Sequence, residues 1–382
     1  MIYLDHNATT PLSRKAREAM EPFLTGEFGN PSSIHVAGRR ARAAVDDARD
    51  RMAAGLGVKA HELIFTGGGT ESCNLGLIGL ARAHAVKGRH LIVSAIEHHA
   101  VLHAAEHLRH FEGFDVTLAP VDTRGVVEVE MLKSLLRPDT TVVSVMHANN
   151  ETGVIQPVEE IATLCRGAGV LFHCDAVQTF GKIPLRLTGH PGVSALSFAA
   201  HKFHGPKGVG GLYLKAGIAL SKTLYGGAHE NSRRPGTENV AGIAGMAAAA
   251  EEALRMAESD HSQLELLRER LWAGIAAAVP SAVRNGDALR SLPNTLNASF
   301  PGADGESLLM GLDLEGVCVS SGSACMVGAI QASHVLVAMG VDHSTALATV
   351  RFSLGAFTTE AEIDRTVEAL ARVAGLQPAL AA

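Results

Sequence analysis

Residues 141–175 run Thr141-Val-Val-Ser-Val-Met146, a polar loop from His147 to Pro157, Val158-Glu-Glu-Ile-Ala-Thr-Leu-Cys-Arg-Gly167, and Val170-Leu-Phe-His-Cys174-Asp175. Two short apolar, β-branched runs flank a segment with apolar residues at helical spacing. Such a strand–helix–strand unit needs a crossover, which makes its strands parallel. The pattern extends outward on both sides. Leu63–Thr66, His90–Ser94, Asp115–Leu118, Leu196–Ala199 and Gly211–Leu214 read as further strands, and Glu71–Val86 and Ala100–Phe111 as helices between them. The expectation is an α/β protein built on a mostly parallel seven-stranded sheet. In such sheets ligands lie outside the carboxyl ends of the strands, so the loops there are where chemistry is sought.

After Gly236 the texture changes. Val240–Ala257 is an Ala-rich helix, Ser259-Asp260 offers an N-cap for a second helix through Ala278, and Trp272 falls inside that helix as a core residue. Pro280 and Asn285-Gly286 end it. Thr295–Phe300, Gly305–Leu314, Val317–Ser320 and a last helix Thr359–Ala374 suggest a smaller α+β unit. The expected division is a large domain over 15–257 and a small one from 1–14 with 258–382.

Composition narrows the class. Lys plus Arg number 33 against 39 Asp plus Glu, a net charge of −6, which disfavours a nucleic-acid binder. With 47% hydrophobic and 19% charged residues the chain is not disordered. Val240 to Ala250 is the longest apolar run and falls short of the roughly 20 residues a membrane helix needs. The start, Met1 to Asn7, lacks the basic and apolar regions of a signal peptide. Five cysteines and no C-x-x-C disfavour a disulfide framework or a zinc ribbon. The expectation is a cytoplasmic enzyme with no membrane partner.

Five motifs sit where the sheet rule directs attention. Phe65-Thr-Gly-Gly-Gly-Thr70-Glu71 follows a strand and opens a helix, so free N–H groups and close backbone approach suit a phosphate, although an ordinary tight turn reads the same. His173-Cys-Asp175-Ala-Val-Gln178 puts an acid at a strand end, where it would face a cationic ligand or cap the next helix. Asn149-Asn-Glu-Thr-Gly153 is a ligand loop or a structural turn. Ala200-His-Lys202 places a lysine where a Schiff base could form. Cys325 lies in Ser320-Ser-Gly-Ser-Ala-Cys325-Met, unlike Cys73, Cys165, Cys174 and Cys318, whose settings look structural. His103-Ala-Ala-Glu106-His107 matches an inverted zincin, a rival reading that lacks a third ligand.

Taken together these features describe a pyridoxal 5′-phosphate (PLP) site. The sequence resembles the cysteine desulfurases of the class V aminotransferase group. The resemblance rests on Tyr3 to Pro11, Gly29 to Ser33, Phe65 to Asn74, Glu97-His98, Asn149 to Gly153, Asp175 to Gln178, His201-Lys202, Arg234 to Asn239, Ser320 to Cys325 and Val350 to Leu354. It implies the fold type I architecture of PLP-dependent transferases and conversion of L-cysteine to L-alanine, with sulfur passed on as a persulfide. Lys202 would hold PLP and shuttle a proton, Asp175 would face the ring nitrogen, Gln178 the phenolate oxygen and His98 the ring. Gly69, Thr70 and His201 would bind the phosphate, joined by Thr237 from the partner of a homodimer. Arg351, assisted by Asn150, would clamp the substrate carboxylate, and Cys325 would take the sulfur and hand it to an acceptor protein such as an iron–sulfur scaffold. Two departures stand out. Ala199 replaces a serine common in relatives, and Met326 to Ser333 differs from the usual loop, which leaves the acceptor and the pathway open. A selenocysteine-specific relative, or an aminotransferase with no use for Cys325, is the near alternative.

Overall fold

The computed structural model describes residues 1–258, 262–321 and 331–375. Its strands are β1 (Ile2–Tyr3), β2 (Leu63–Thr66), β3 (His90–Ser94), β4 (Asp115–Ala119), β5 (Thr140–Ser144) and β6 (Leu171–Asp175). They continue with β7 (Ala195–Ala199), β8 (Gly210–Leu214), β9 (Val283–Asn285), β10 (Thr295–Ser299), β11 (Val317–Cys318) and β12 (Thr349–Ser353).

The main sheet has seven strands in the order β2-β8-β7-β6-β5-β3-β4. Only β8 runs against the rest, pairing antiparallel with both β2 and β7. β3, β5, β7 and β8 are buried at every position, as expected for strands covered by helices on both faces. The helix Gly69–Ala83, with nine of the ten residues from Ser72 to Ala81 buried, covers one face. The helix Val240–Ala257 and the long helix Val36–Leu56 cover the other. Because six strands share one direction, the carboxyl ends of β2, β3, β5, β6 and β7 open on one edge. That edge is where the motifs of Gly69, Asn150, Asp175 and Lys202 meet.

A second core joins Ile2 and Leu4 to Leu271, Leu296, Phe352 and Leu370. It is built on the antiparallel sheet β12-β10-β9 and the parallel pair β1-β11, with helices Ser262–Ala278, Gly305–Leu314 and Glu360–Gly375. Trp272 is half-buried against it rather than inside it. The Ser259-Asp260 cap lies outside the described residues. The chain start crosses between the cores: Leu4 is in the second, and Asn7 already reaches the first.

Inside the main sheet His173 of β6 is bonded by both ring nitrogens, to Ser144 Oγ at 2.8 Å and Ser197 Oγ at 2.9 Å. Burial pushes its pKa down to about 4. The unfolded chain, with a histidine near 6.5, therefore binds a proton between pH 4 and 6.5 that the folded one refuses, and this contribution to stability is lost as pH falls through that window. His173→Gln should destabilise the protein at pH 7, and that deficit should shrink by about 2 kcal/mol at pH 5. Urea denaturation of both proteins at the two pH values measures it; an unchanged or wider gap at pH 5 contradicts the account.

Candidate active site

The turn after β2 brings Gly69 against the segment that follows β6. A Cβ on Gly69 would lie 3.0 Å from Val177 Cγ2 and 3.3 Å from Ala199 Cβ, so only glycine lets the helix start so close to β6 and β7. Asp175 ends β6; its Oδ1 accepts from Val177 N at 2.9 Å. Burial pushes this carboxyl above its ordinary range, opposed by the Val177 amide, by His98 and by Lys202. A carboxyl so placed gains from a ligand that brings a proton or a positive charge.

His98 follows β3 and caps the helix His99–Phe111, its Nδ1 accepting from Ala100 N at 3.1 Å. That bond leaves Nε2 as the protonated nitrogen of the neutral ring, and burial lowers its pKa. Asn149 Oδ1 accepts from the amides of Glu151 and Thr152, both at 2.9 Å, a local turn that holds Asn150 beyond β5. His201 and Lys202 follow β7 in a single 3₁₀ turn. His201 is pushed to about 4 by burial and by Lys202 and Lys207 beside it. Lys202 Nζ donates to the carbonyls of Asn7 at 2.6 Å and Ala8 at 2.9 Å.

Arg351 arrives from β12 in the second core. It donates to Asp5 Oδ1 at 2.8 Å and to Asn150 O at 3.1 Å, while its Nε is buried without a partner. A buried donor left unpaired costs about 1–3 kcal/mol, so the site is built to receive an acceptor there.

Nine of the residues expected from sequence line one cavity of about 410 Å³: Gly69, Thr70, His98, Asn150, Asp175, Gln178, His201, Lys202 and Arg351. The volume falls within the roughly 300–1,000 Å³ of small-molecule sites. Two expected residues are not among them. Thr237 is exposed and lines no part of this cavity. Its segment is tied to the first turn of the helix Gly69–Ala83 by Arg234, whose Nε lies 2.7 Å from Glu71 Oε1. Cys325 lies outside the described residues.

Sequence reasoning passed over Asp5, Asn7 and Lys182. Asn7 is a hub whose carbonyl accepts from Lys202 and from Gln178 Nε2 (3.0 Å), and whose side chain bonds Asn150, Lys182, Asn294 and Thr295. The signal lay in the Tyr3 to Pro11 motif, but its partners are more than 140 residues away. Cys73 also lines the cavity, but burial and the Asp175 charge push its thiol far up. The rival zinc site does not assemble: His107 Nε2 lies 3.1 Å from Glu112, and among the described residues no three His, Cys, Asp or Glu side chains gather for a metal.

A lysine amine, a buried acid, a donor amide and a helix start around one cavity define a PLP-dependent α/β enzyme, and the residues present fit that cofactor: the acid suits a protonated ring nitrogen and the open N–H groups a phosphate. The family model described as aminotransferase class-V matches residues 2–366, and the chain belongs to that family; its cofactor is PLP. It is 45% identical over 97% of its length to "Cysteine desulfurase IscS" of Dictyoglomus turgidum, of which it covers 94%. It is 44% identical over 96% of its length to "Cysteine desulfurase NifS" of Azotobacter vinelandii, covering 90%. Among solved structures, a "NIFS-like protein" superposes with a TM-score of 0.92 at 39% identity, over 98% of this chain and all of that one. "SspA in complex with cysteine" superposes with a TM-score of 0.82 at 31% identity, over 94% of this chain and all of that one.

Proposed function

We propose that this chain is a PLP-dependent L-cysteine desulfurase. The observation that carries the reading is the convergence of Lys202, Asp175, Gln178, His98 and Arg351 on one cavity. When bound, the cofactor's protonated ring serves as an electron sink for bonds broken at the substrate's amino-acid carbons. Asp175 keeps the ring nitrogen protonated, and Gln178 donates to the phenolate oxygen. Lys202 holds the cofactor and moves the substrate's α-proton. His98, its Nδ1 occupied by Ala100 N, would donate or accept through Nε2 at the sulfur and would face the ring. The start of the helix at Gly69 and Thr70, with His201, binds the phosphate.

Arg351 receives the carboxylate of L-cysteine through Nε and the N–H groups left over from Asp5 and Asn150 O, a two-point clamp that fixes an α-amino acid in one orientation. Cys325 is the nucleophile. Cys165 is pushed up to about 12 by burial, and Cys73 and Cys174 well above the ordinary range. These three are held as thiols, which supports the loop cysteine in that role. The Cys325 sulfur bonds to the substrate sulfur as the carbon–sulfur bond breaks, so L-cysteine and a thiol become L-alanine and a persulfide. In this reading 1–14 and 258–382 form the smaller unit, to whose sequence Cys325 belongs, and 15–257 the PLP-binding unit. The persulfide then passes to an acceptor protein, an iron–sulfur scaffold being the acceptor the resemblance favours. No helix among the described residues is long and apolar enough to cross a membrane, in keeping with a cytoplasmic enzyme.

The working form is a homodimer. Phe28, Ile34 and Tyr225 are each more than three-quarters exposed, and Ser32 Oγ lies 3.2 Å from His229 Nε2, which brings the two apolar segments together near Thr237. Such side chains suit a covered face. Thr237 reaches the partner's phosphate. Thr237→Ala should weaken PLP binding about tenfold, the loss of one hydrogen bond to a charged group, while sedimentation still shows a dimer. Unchanged affinity would sink the shared site. The activity itself is tested by incubating the holoenzyme with L-cysteine: alanine and protein persulfide should form in equal amounts in the first turnover, and pyruvate without alanine would overturn the reading.

A further inference from the structure

Lys182 is a lysine for which the chemistry above has no use. It follows Gly181, whose φ of +74° turns the chain back, and a Cβ there would lie 2.5 Å from Ala253 Cβ. The turn returns the lysine amine to the residue four positions earlier. Nζ donates to Gln178 Oε1 at 3.0 Å and to Asn7 Oδ1 at 2.8 Å. The residue as a whole is half-buried, with its stem on a second cavity of about 240 Å³ behind Lys202. Its amine end is enclosed, and burial, then the Lys202 and Arg351 charges, pushes its pKa well below the ordinary value.

Each amide that Lys182 touches has two chemically different ends, and the site needs each in one orientation. Gln178 must present Nε2; in this structure Nε2 donates to Asn7 O, which Lys202 Nζ also contacts. Asn7 must present Oδ1 to Lys182 while its Nδ2 donates to Asn150 O at 3.2 Å and Thr295 Oγ1 at 2.9 Å. When cofactor is bound, Gln178 Nε2 and Lys202 both have a new partner, and the Asn7 carbonyl no longer restrains either. The bond from Lys182 to Gln178 Oε1 then remains as the restraint on the amide's direction. Lysine suits the task because it offers no competing carbonyl. Even as a neutral amine it has two N–H bonds, enough for both acceptors.

We propose that Lys182 is a positioning residue of the cofactor site, which, anchored on Asn7 Oδ1, holds the amide of Gln178 so that it presents its donor end to the cofactor. It rests on the cofactor reading above and adds a residue to that site.

The test uses apoprotein titrated with PLP, read by affinity and by the visible absorption maximum of the bound cofactor. Lys182→Met keeps the length of the stem and removes the donor. It should weaken PLP binding about tenfold and move the absorption maximum, through the loss of one buried bond that orients another. In a Gln178→Ala background the same substitution should change affinity less than twofold, because the group it orients is gone; a role in general packing would give the same loss in both backgrounds. Lys182→Arg keeps two donors, has the second cavity to expand into, and should stay within about threefold of wild type. Unchanged affinity and spectrum in Lys182→Met overturn the proposal, as does an equal loss with and without Gln178. Should Lys182→Met not fold, Lys182→Arg decides: retention near wild type supports the proposal, and a loss as large as that of Gln178→Ala overturns it. Wild-type protein that takes up no PLP would instead sink the cofactor reading.

Discussion

Lys202→Ala protein, loaded with PLP and reduced with borohydride, should carry no pyridoxyl adduct, and its alanine production should fall by at least about 10³-fold, within the 10²–10⁴ that a positioned proton-transfer group supplies. The expectation follows from where β7 ends. The 3₁₀ turn Ala200–Lys202 leaves the Lys202 amine donating to the carbonyls of Asn7 and Ala8, with Asp175 and Gln178 on the same cavity. Wild-type protein treated the same way should show the adduct on the peptide containing Lys202. Two other lysines serve as internal controls. Lys207 lines the outer cleft beside His201, and Lys182 lies behind the site. An adduct on either, or none at all, removes Lys202 from its role.

Cys325→Ala should separate cofactor chemistry from sulfur transfer. Because the cavity residues come from β2, β3, β5, β6, β7 and β12, the variant should bind PLP with wild-type affinity and take up L-cysteine with a normal spectral response. Alanine release should drop about 10³-fold or more, since the thiols of Cys73, Cys165 and Cys174 are all pushed up by burial and Cys318 does not line the cavity. No persulfide should appear by mass analysis after incubation with cysteine. Wild-type alanine production in Cys325→Ala would make the protein a lyase or an aminotransferase of the same family, one with no need of a nucleophile in that loop.

Much of this was legible before folding was considered. All seven strands of the main sheet can be read to within two residues of their ends; β3, β5 and β6 are legible because a parallel strand covered on both faces is a short, mostly apolar run between loop signals. The helix Val240–Ala257 is also legible in full, and the last helix, Glu360–Gly375, to within one residue at each end. The helices Arg14–Leu24 and Val36–Leu56 are not. The second buries a stripe that includes Ala41, Ala48 and Ala53, and alanine gives little periodic contrast against its neighbours. Strands β9 and β12 are short or lie within motifs read for their side chains, and their pairing with β10 comes from distant sequence.

The site divides the same way. Which residue types stand at the strand ends is a local property, and the direction of six strands sends those ends to one edge, so Gly69, Asp175 and Lys202 could be named as a group from sequence. What holds them in working order is not local. Asp5 on Arg351, Asn7 on Lys202, and Lys182 on Asn7 each join segments whose meeting depends on the two cores packing together. A titratable or amide group acquires its orientation and its charge from the burial and partners that surround it. Those exist only once chain separated by hundreds of residues has been brought within 3 Å.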